Sequence, residues 1–141
     1  MSSIVRREFA RRFASLGLVG ALRPFAVGQS ARSKTRLILL GTAGGPRPRK
    51  TRVPSSQVIL AKDAAYVFDC GVGVSTQLAR ADVRLNSLRH VFITHHHSDH
   101  NAEYGALLLT AWGAGLRTPV DTWGAPPLAR MTDLFLEMKS D

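Results

Sequence analysis

The chain has 141 residues, 45% of them hydrophobic, and a formal charge of +9 from 19 basic and 10 acidic side chains. That balance excludes a collagen-like or wholly disordered chain, and the length allows one modest domain. A single cysteine, Cys70, excludes an internal disulfide framework and a zinc site built from cysteines alone, and no apolar run reaches the roughly 18 residues of a membrane-spanning helix.

Residues 1–31 carry five arginines (Arg6, Arg7, Arg11, Arg12, Arg23) against one acid, Glu8. The apolar run Phe13–Leu22 follows, then Arg23-Pro24 and the small residues Ala26-Val27-Gly28. A basic start, an apolar stretch and a small-residue site are the parts of an export signal. Arg6-Arg7-Glu8-Phe9 resembles the pair read by the twin-arginine (Tat) translocase. The expectation is a twin-arginine-type signal peptide over residues 1–28 and a periplasmic or secreted location. An organelle transit peptide, a plain basic surface helix and a cytoplasmic location are the alternatives.

Thr35–Leu40 reads as a buried strand ending at Gly41. Gly41–Pro54 is a glycine-, proline- and arginine-rich loop. Arg32–Arg52 holds seven basic residues and no acid. Such a stretch attracts phosphates, although a solvated loop has the same composition. Without interleaved aromatics it offers no stacking surface for single strands. Ser56–Lys62 and Ala65–Asp69 read as strands joined by a tight hairpin at Asp63-Ala64. After the Gly71-Val72-Gly73 turn comes a short helix, Val74–Ala81, then a strand, Leu88–Thr94. Ala102–Trp112 reads as a helix capped by Asn101, Val120–Trp123 as a strand, and Leu128–Lys139 as a helix with Leu128, Met131, Leu134, Phe135 and Met138 on one face. Strands lead and then alternate with helices, so the class is α/β or α+β with a mixed sheet.

Thr94-His95-His96-His97-Ser98-Asp99-His100 places five potential metal ligands in seven positions. They directly follow an apolar strand. Extended backbone sends His95 and His97 to the same side, where two imidazoles can clasp one divalent ion. Asp99 and His100 fall in the turn into the next helix and could hold a second ion. A two-metal pair can clamp both the attacking and the leaving oxygen of a displacement. A solvated histidine-rich loop is the plainer reading. His96 is expected to point to solvent or to the opposite side, and His90 to be a surface residue. Cys70 reads as a small buried hydrophobe, and Trp112 and Trp123 as core or rim.

His95-x-His97-x-Asp99-His100 is similar to the signature of the metallo-β-lactamase superfamily. Leu39-Leu40-Gly41-Thr42-Ala43-Gly44-Gly45-Pro46 resembles the first strand and glycine loop of its ribonuclease Z-like branch. Val67-Phe68-Asp69-Cys70-Gly71-Val72-Gly73 resembles that branch's F-D-C-G-x-G turn. The resemblance implies an αββα sandwich, with residues 29–141 forming its N-terminal part. It implies a first zinc on His95 and His97 and a second on Asp99 and His100, two Zn2+ per complete domain. Manganese and iron would accept the same donors. Asp99 would be the catalytic residue, handling a proton from the attacking water, and Asp69 would orient a liganding imidazole. The superfamily's later ligands are a histidine, a bridging aspartate and a last histidine, and no histidine follows His100. The chain is therefore expected to be a truncated form, inactive alone. Completion across a dimer is the alternative.

The function this implies is a zinc-dependent hydrolase cleaving a small-molecule ester or phosphodiester. Nucleic acid is the less favoured partner because of the export-like start. A ribonuclease Z-type endonuclease trimming transfer RNA is the second reading, and a non-catalytic metal-binding remnant the third. The partner expectations are no membrane span and a homodimer of the complete protein.

Overall fold

The computed structural model describes residues 35–139. The signal peptide expected over residues 1–28 lies outside the described residues. Strands β1 (Thr35–Gly41), β2 (Ser56–Ala61), β3 (Ala64–Phe68), β4 (Leu88–Ile93) and β5 (Asp121–Gly124) form one five-stranded sheet in that spatial order. The pairings β1–β2 and β2–β3 are antiparallel, while β3–β4 and β4–β5 are parallel. Two successive antiparallel pairings point β1 the same way as β3. Four of the five strands therefore bring their carboxyl ends to one edge of the sheet. That edge receives the loop after Gly41, Asp69 after β3, the histidine segment after β4 and Ala125 after β5.

The register explains the core. Ile38, Val58, Val67 and Val91 lie side by side across the first four strands. These β-branched side chains share one pleated face. They join one hydrophobic cluster with Val74 and Leu78 of helix α1 (Val74–Arg80) and Leu107 and Ala111 of α3 (Tyr104–Gly113). Val58, Val67 and Val91 are fully buried. A mixed α/β class was expected, and a mixed sheet with helices on one face is what forms.

The five strands fall within a residue or so of their expected bounds. The hairpin turn sits one residue earlier than expected, because Lys62 takes a left-handed φ of 57° and Ala64 already pairs with Ala61. The helix expected over Ala102–Trp112 begins instead at Tyr104. Ser98–Asn101 forms its own short helix, α2. The break has a long-range cause. The Glu103 N–H donates to the Cys70 carbonyl at 2.9 Å, and the Cys70 N–H donates to the His100 carbonyl at 2.6 Å. These bonds dock the turn onto the residue after Asp69, and Asn101 caps nothing.

Helix α4 (Leu128–Glu137) buries only part of its apolar face. Leu128 is buried and Phe135 rests on Gly105, but Leu134 and Met138 are exposed. Of the core or rim placement expected for Trp112 and Trp123, core does not hold, since both are exposed. The second face of the sheet carries two aligned rows. One runs Leu39, Gln57, Phe68, Phe92, Trp123, and the other Leu37, Ile59, Tyr66, His90, Asp121. Phe68 stacks on Phe92 at 4.6 Å and Tyr66 on His90 at 5.0 Å. His90 is thus a half-buried member of an aromatic row, accepting a hydrogen bond from Trp123 Nε1 at 3.3 Å. Among the described residues, no helix is long and apolar enough to cross a membrane.

Candidate metal centre

Asp69 anchors the site. Its φ of 58° is left-handed, a conformation Asp tolerates better than most residues. The kink ends β3 and brings the carboxylate to the end of the neighbouring strand β4. Asp69 is 3% exposed. It accepts from the Thr94 N–H at 2.9 Å, from the Thr94 hydroxyl at 2.9 and 3.0 Å, and from His100 Nδ1 at 2.7 Å. The expectation that Asp69 orients an imidazole thus has a direct geometric counterpart at His100. With Nδ1–H given to Asp69, His100 presents the Nε2 lone pair outward.

Asp99 is also buried, at 5% exposure. Its Oδ2 accepts the Gly45 N–H at 2.8 Å and lies 3.5 Å from His100 Nε2. Gly45 takes a φ of 81°, which only the glycine-rich loop could supply cheaply. The loop after β1 is thereby fastened to the acid of the histidine segment, 54 residues away.

His95 and His97 are exposed and meet edge-on, with ring centroids 4.7 Å apart and His95 Nε2 at 3.1 Å from His97 Nδ1. His95 lies 4.0 Å, centroid to centroid, from His100. Of the two placements expected for His96, solvent or the side opposite His95 and His97, it takes a partnered position away from that pair. The Asn101 amide donates to its Nδ1 at 3.2 Å, so its Nε2–H donates to the Ala125 carbonyl at 2.8 Å. It braces the loop after β5 against the site. No spacing rule signals this contact, since the partner carbonyl is 29 residues away.

These distances test the fit of a metal. Two donors on one tetrahedral zinc, each about 2.0–2.1 Å from the ion, stand about 3.3 Å apart. The His95–His97 nitrogens and the Asp99–His100 pair both fall near that bite, and the donor chemistry suits zinc. They fit as two half-sites. Among the described residues, no group of three or more His, Cys, Asp or Glu side chains is placed to hold an ion. Cys70 is no donor: burial first, then the charges of Asp69 and Glu103, push its thiol pKa far up, which keeps it protonated.

The comparisons with known proteins agree with this architecture. The metallo-β-lactamase superfamily family model matches residues 50–129. The ribonuclease Z of Methanosarcina mazei is 34% identical over 100 residues, covering 71% of this chain and 32% of that protein. That of Gloeothece citriformis is 40% identical over 93 residues, covering 65% and 29%. The chain thus spans about a third of the length of these curated relatives. Among solved structures, human tRNase Z, short form, superposes with a TM-score of 0.63 at 31% identity, covering 73% of this chain and 39% of that one. The metallo-β-lactamase fold protein YhfI from Bacillus subtilis superposes at 0.59 with 24% identity, covering 71% and 40%, a likeness of fold. Both curated relatives named here are ribonucleases Z. The chain belongs to the metallo-β-lactamase superfamily, on the side of its ribonuclease Z-like branch.

Proposed function

We propose that this chain carries the first metal-binding segment of a metal-dependent phosphodiesterase that cuts RNA, of the ribonuclease Z type. One observation carries the choice of RNA over a small ester. The loop that holds Asp99 through Gly45 also forms one wall of a basic cleft of about 390 Å³, lined by Arg49, Lys50, Arg52 and Arg80. A polymer of phosphates laid along those cations would lead to the histidine segment. A small neutral ester gains nothing from them.

In this reading His95 and His97 hold one zinc, and Asp99 and His100 the other. When bound, zinc would polarise a phosphoryl oxygen and yield hydroxide near neutral pH. The chain's own residues prepare for this. Asp69 keeps the proton on His100 Nδ1 and so frees Nε2. The Gly45 N–H occupies one lone pair of Asp99 Oδ2, and the remaining carboxylate lone pairs are free to take a proton. The basic cleft binds and orients the backbone of the substrate.

The test is cleavage of a precursor transfer RNA with a 3′ trailer by a zinc-loaded protein in which this segment is joined to the later ligands, with aryl esters and bis(p-nitrophenyl) phosphate in parallel. RNA cleavage supports the proposal. Ester turnover without RNA cleavage returns the small-substrate reading, and no turnover with zinc bound points to a metal-binding remnant. Export of residues 1–28 as a twin-arginine signal remains a separate proposal, checked by cell fractionation. A periplasmic location would set the protein apart from cytoplasmic transfer RNA.

A further inference from the structure

We propose that Thr94 is a positioning residue that fixes the tautomer of His95 and joins the two halves of the metal centre. Its hydroxyl has one proton to give. Asp69 faces that hydroxyl with both carboxylate oxygens, at 2.9 and 3.0 Å, and accepts the Thr94 backbone N–H as well. A carboxylate can only accept, and charge-assisted bonds outrank neutral ones, so the hydroxyl proton goes to Asp69. The Thr94 oxygen is then an acceptor on its other side, where His95 Nδ1 stands at 3.0 Å. His95 Nδ1 must carry the ring proton, and His95 Nε2 keeps a lone pair. That nitrogen is the one 3.1 Å from His97.

The same Asp69 fixes His100 through Nδ1 at 2.7 Å. One imidazole from each half-site therefore hangs on a single hydroxyl–carboxylate unit, His95 through Thr94 and His100 directly. Without the hydroxyl, no other side chain among the described residues holds the His95 proton on Nδ1, and the ring is free to turn its lone pair away from His97. The inference rests on the reading of His95 and His97 as a metal clasp.

The experiment uses the full 141-residue chain, 15N-labelled at histidine, with His95→Ala to assign the resonance. Long-range 15N–1H spectra of the metal-free wild type should show His95 protonated at Nδ1. Thr94→Val should lose that preference and bind zinc about tenfold or more weaker in competition with a chromophoric chelator, while Thr94→Ser retains both properties. An Nε2-protonated His95 in the wild type overturns the inference, as does a Thr94→Val chain with unchanged tautomer and zinc affinity. Should Thr94→Val not fold, the wild-type tautomer decides alone. Failure of the clasp reading looks different: His95→Ala would leave zinc affinity unchanged while the Nδ1 tautomer in the wild type persists.

Discussion

Asp69 does at the residue scale what no local pattern announces: it accepts three side-chain and backbone donors while almost fully buried. Asp69→Asn keeps the shape but offers an amide N–H where acceptors are needed. It should weaken zinc binding about 10- to 100-fold with the fold retained, read by chelator competition beside circular dichroism. The resemblance pointed to Asp69, but its partners could not be read from spacing, since His100 is 31 residues away. The H-x-H alternation did predict the His95–His97 contact, because strand periodicity is a local property. His96, as alternation expects, takes partners other than that pair, but its carbonyl partner beyond the far end of β5 could not be read from spacing. Cys70 makes a separate check. Its thiol pKa is raised by burial, so it should resist iodoacetamide in the native chain at pH 8 and react within minutes in denaturant. The linkage has a sign. The unfolded thiol ionises near its ordinary value of about 8.5 while the folded one does not, so this group's contribution to stability is intact below that pH and falls as pH rises above it.

At the scale of elements, strands were legible and helix ends were not. Runs such as TRLILL and LRHVFI alternate or stay apolar over a strand's length, and turn residues bound them. The start of α3 is set instead by Cys70, through backbone bonds that carry no side-chain signature. The sequence showed the apolar stripe on α4, yet only part of it meets α3. That contact depends on Gly105, where an added Cβ would stand 2.5 Å from the Phe135 ring. Gly105→Ala should destabilise the chain by about 1–3 kcal/mol in urea unfolding. In a Phe135→Ala background the same substitution should cost markedly less, because the clash is with that ring. Equal costs in both backgrounds would place the strain elsewhere.

On the scale of the whole molecule, the described residues present two unlike surfaces. One is the cationic cleft walled by the loop that Gly45 fastens to Asp99. If Arg49, Lys50 and Arg52 meet phosphates, their triple alanine variant should weaken single-stranded RNA binding and reduce the slope of log K against log salt by about 2, roughly 0.7 per lost contact. The other surface is the open sheet face with Leu37, Leu39 and Trp123 exposed. An apolar face of that kind binds dyes and promotes association. Leu37→Lys with Leu39→Lys should lower dye fluorescence and shift sedimentation toward the monomer. The charge and hydropathy of each strand were visible in the sequence, but which rows face outward follows only from the register across all five strands. That register also sends four strands the same way, so the groups with chemistry to do sit in the connections beyond the strands' ends, loops and helices together, and none on the pleats. A change of substrate could then be written entirely into those connections, lengthened or recoded one at a time, while the valine rows beneath stay as they are and the framework is inherited intact.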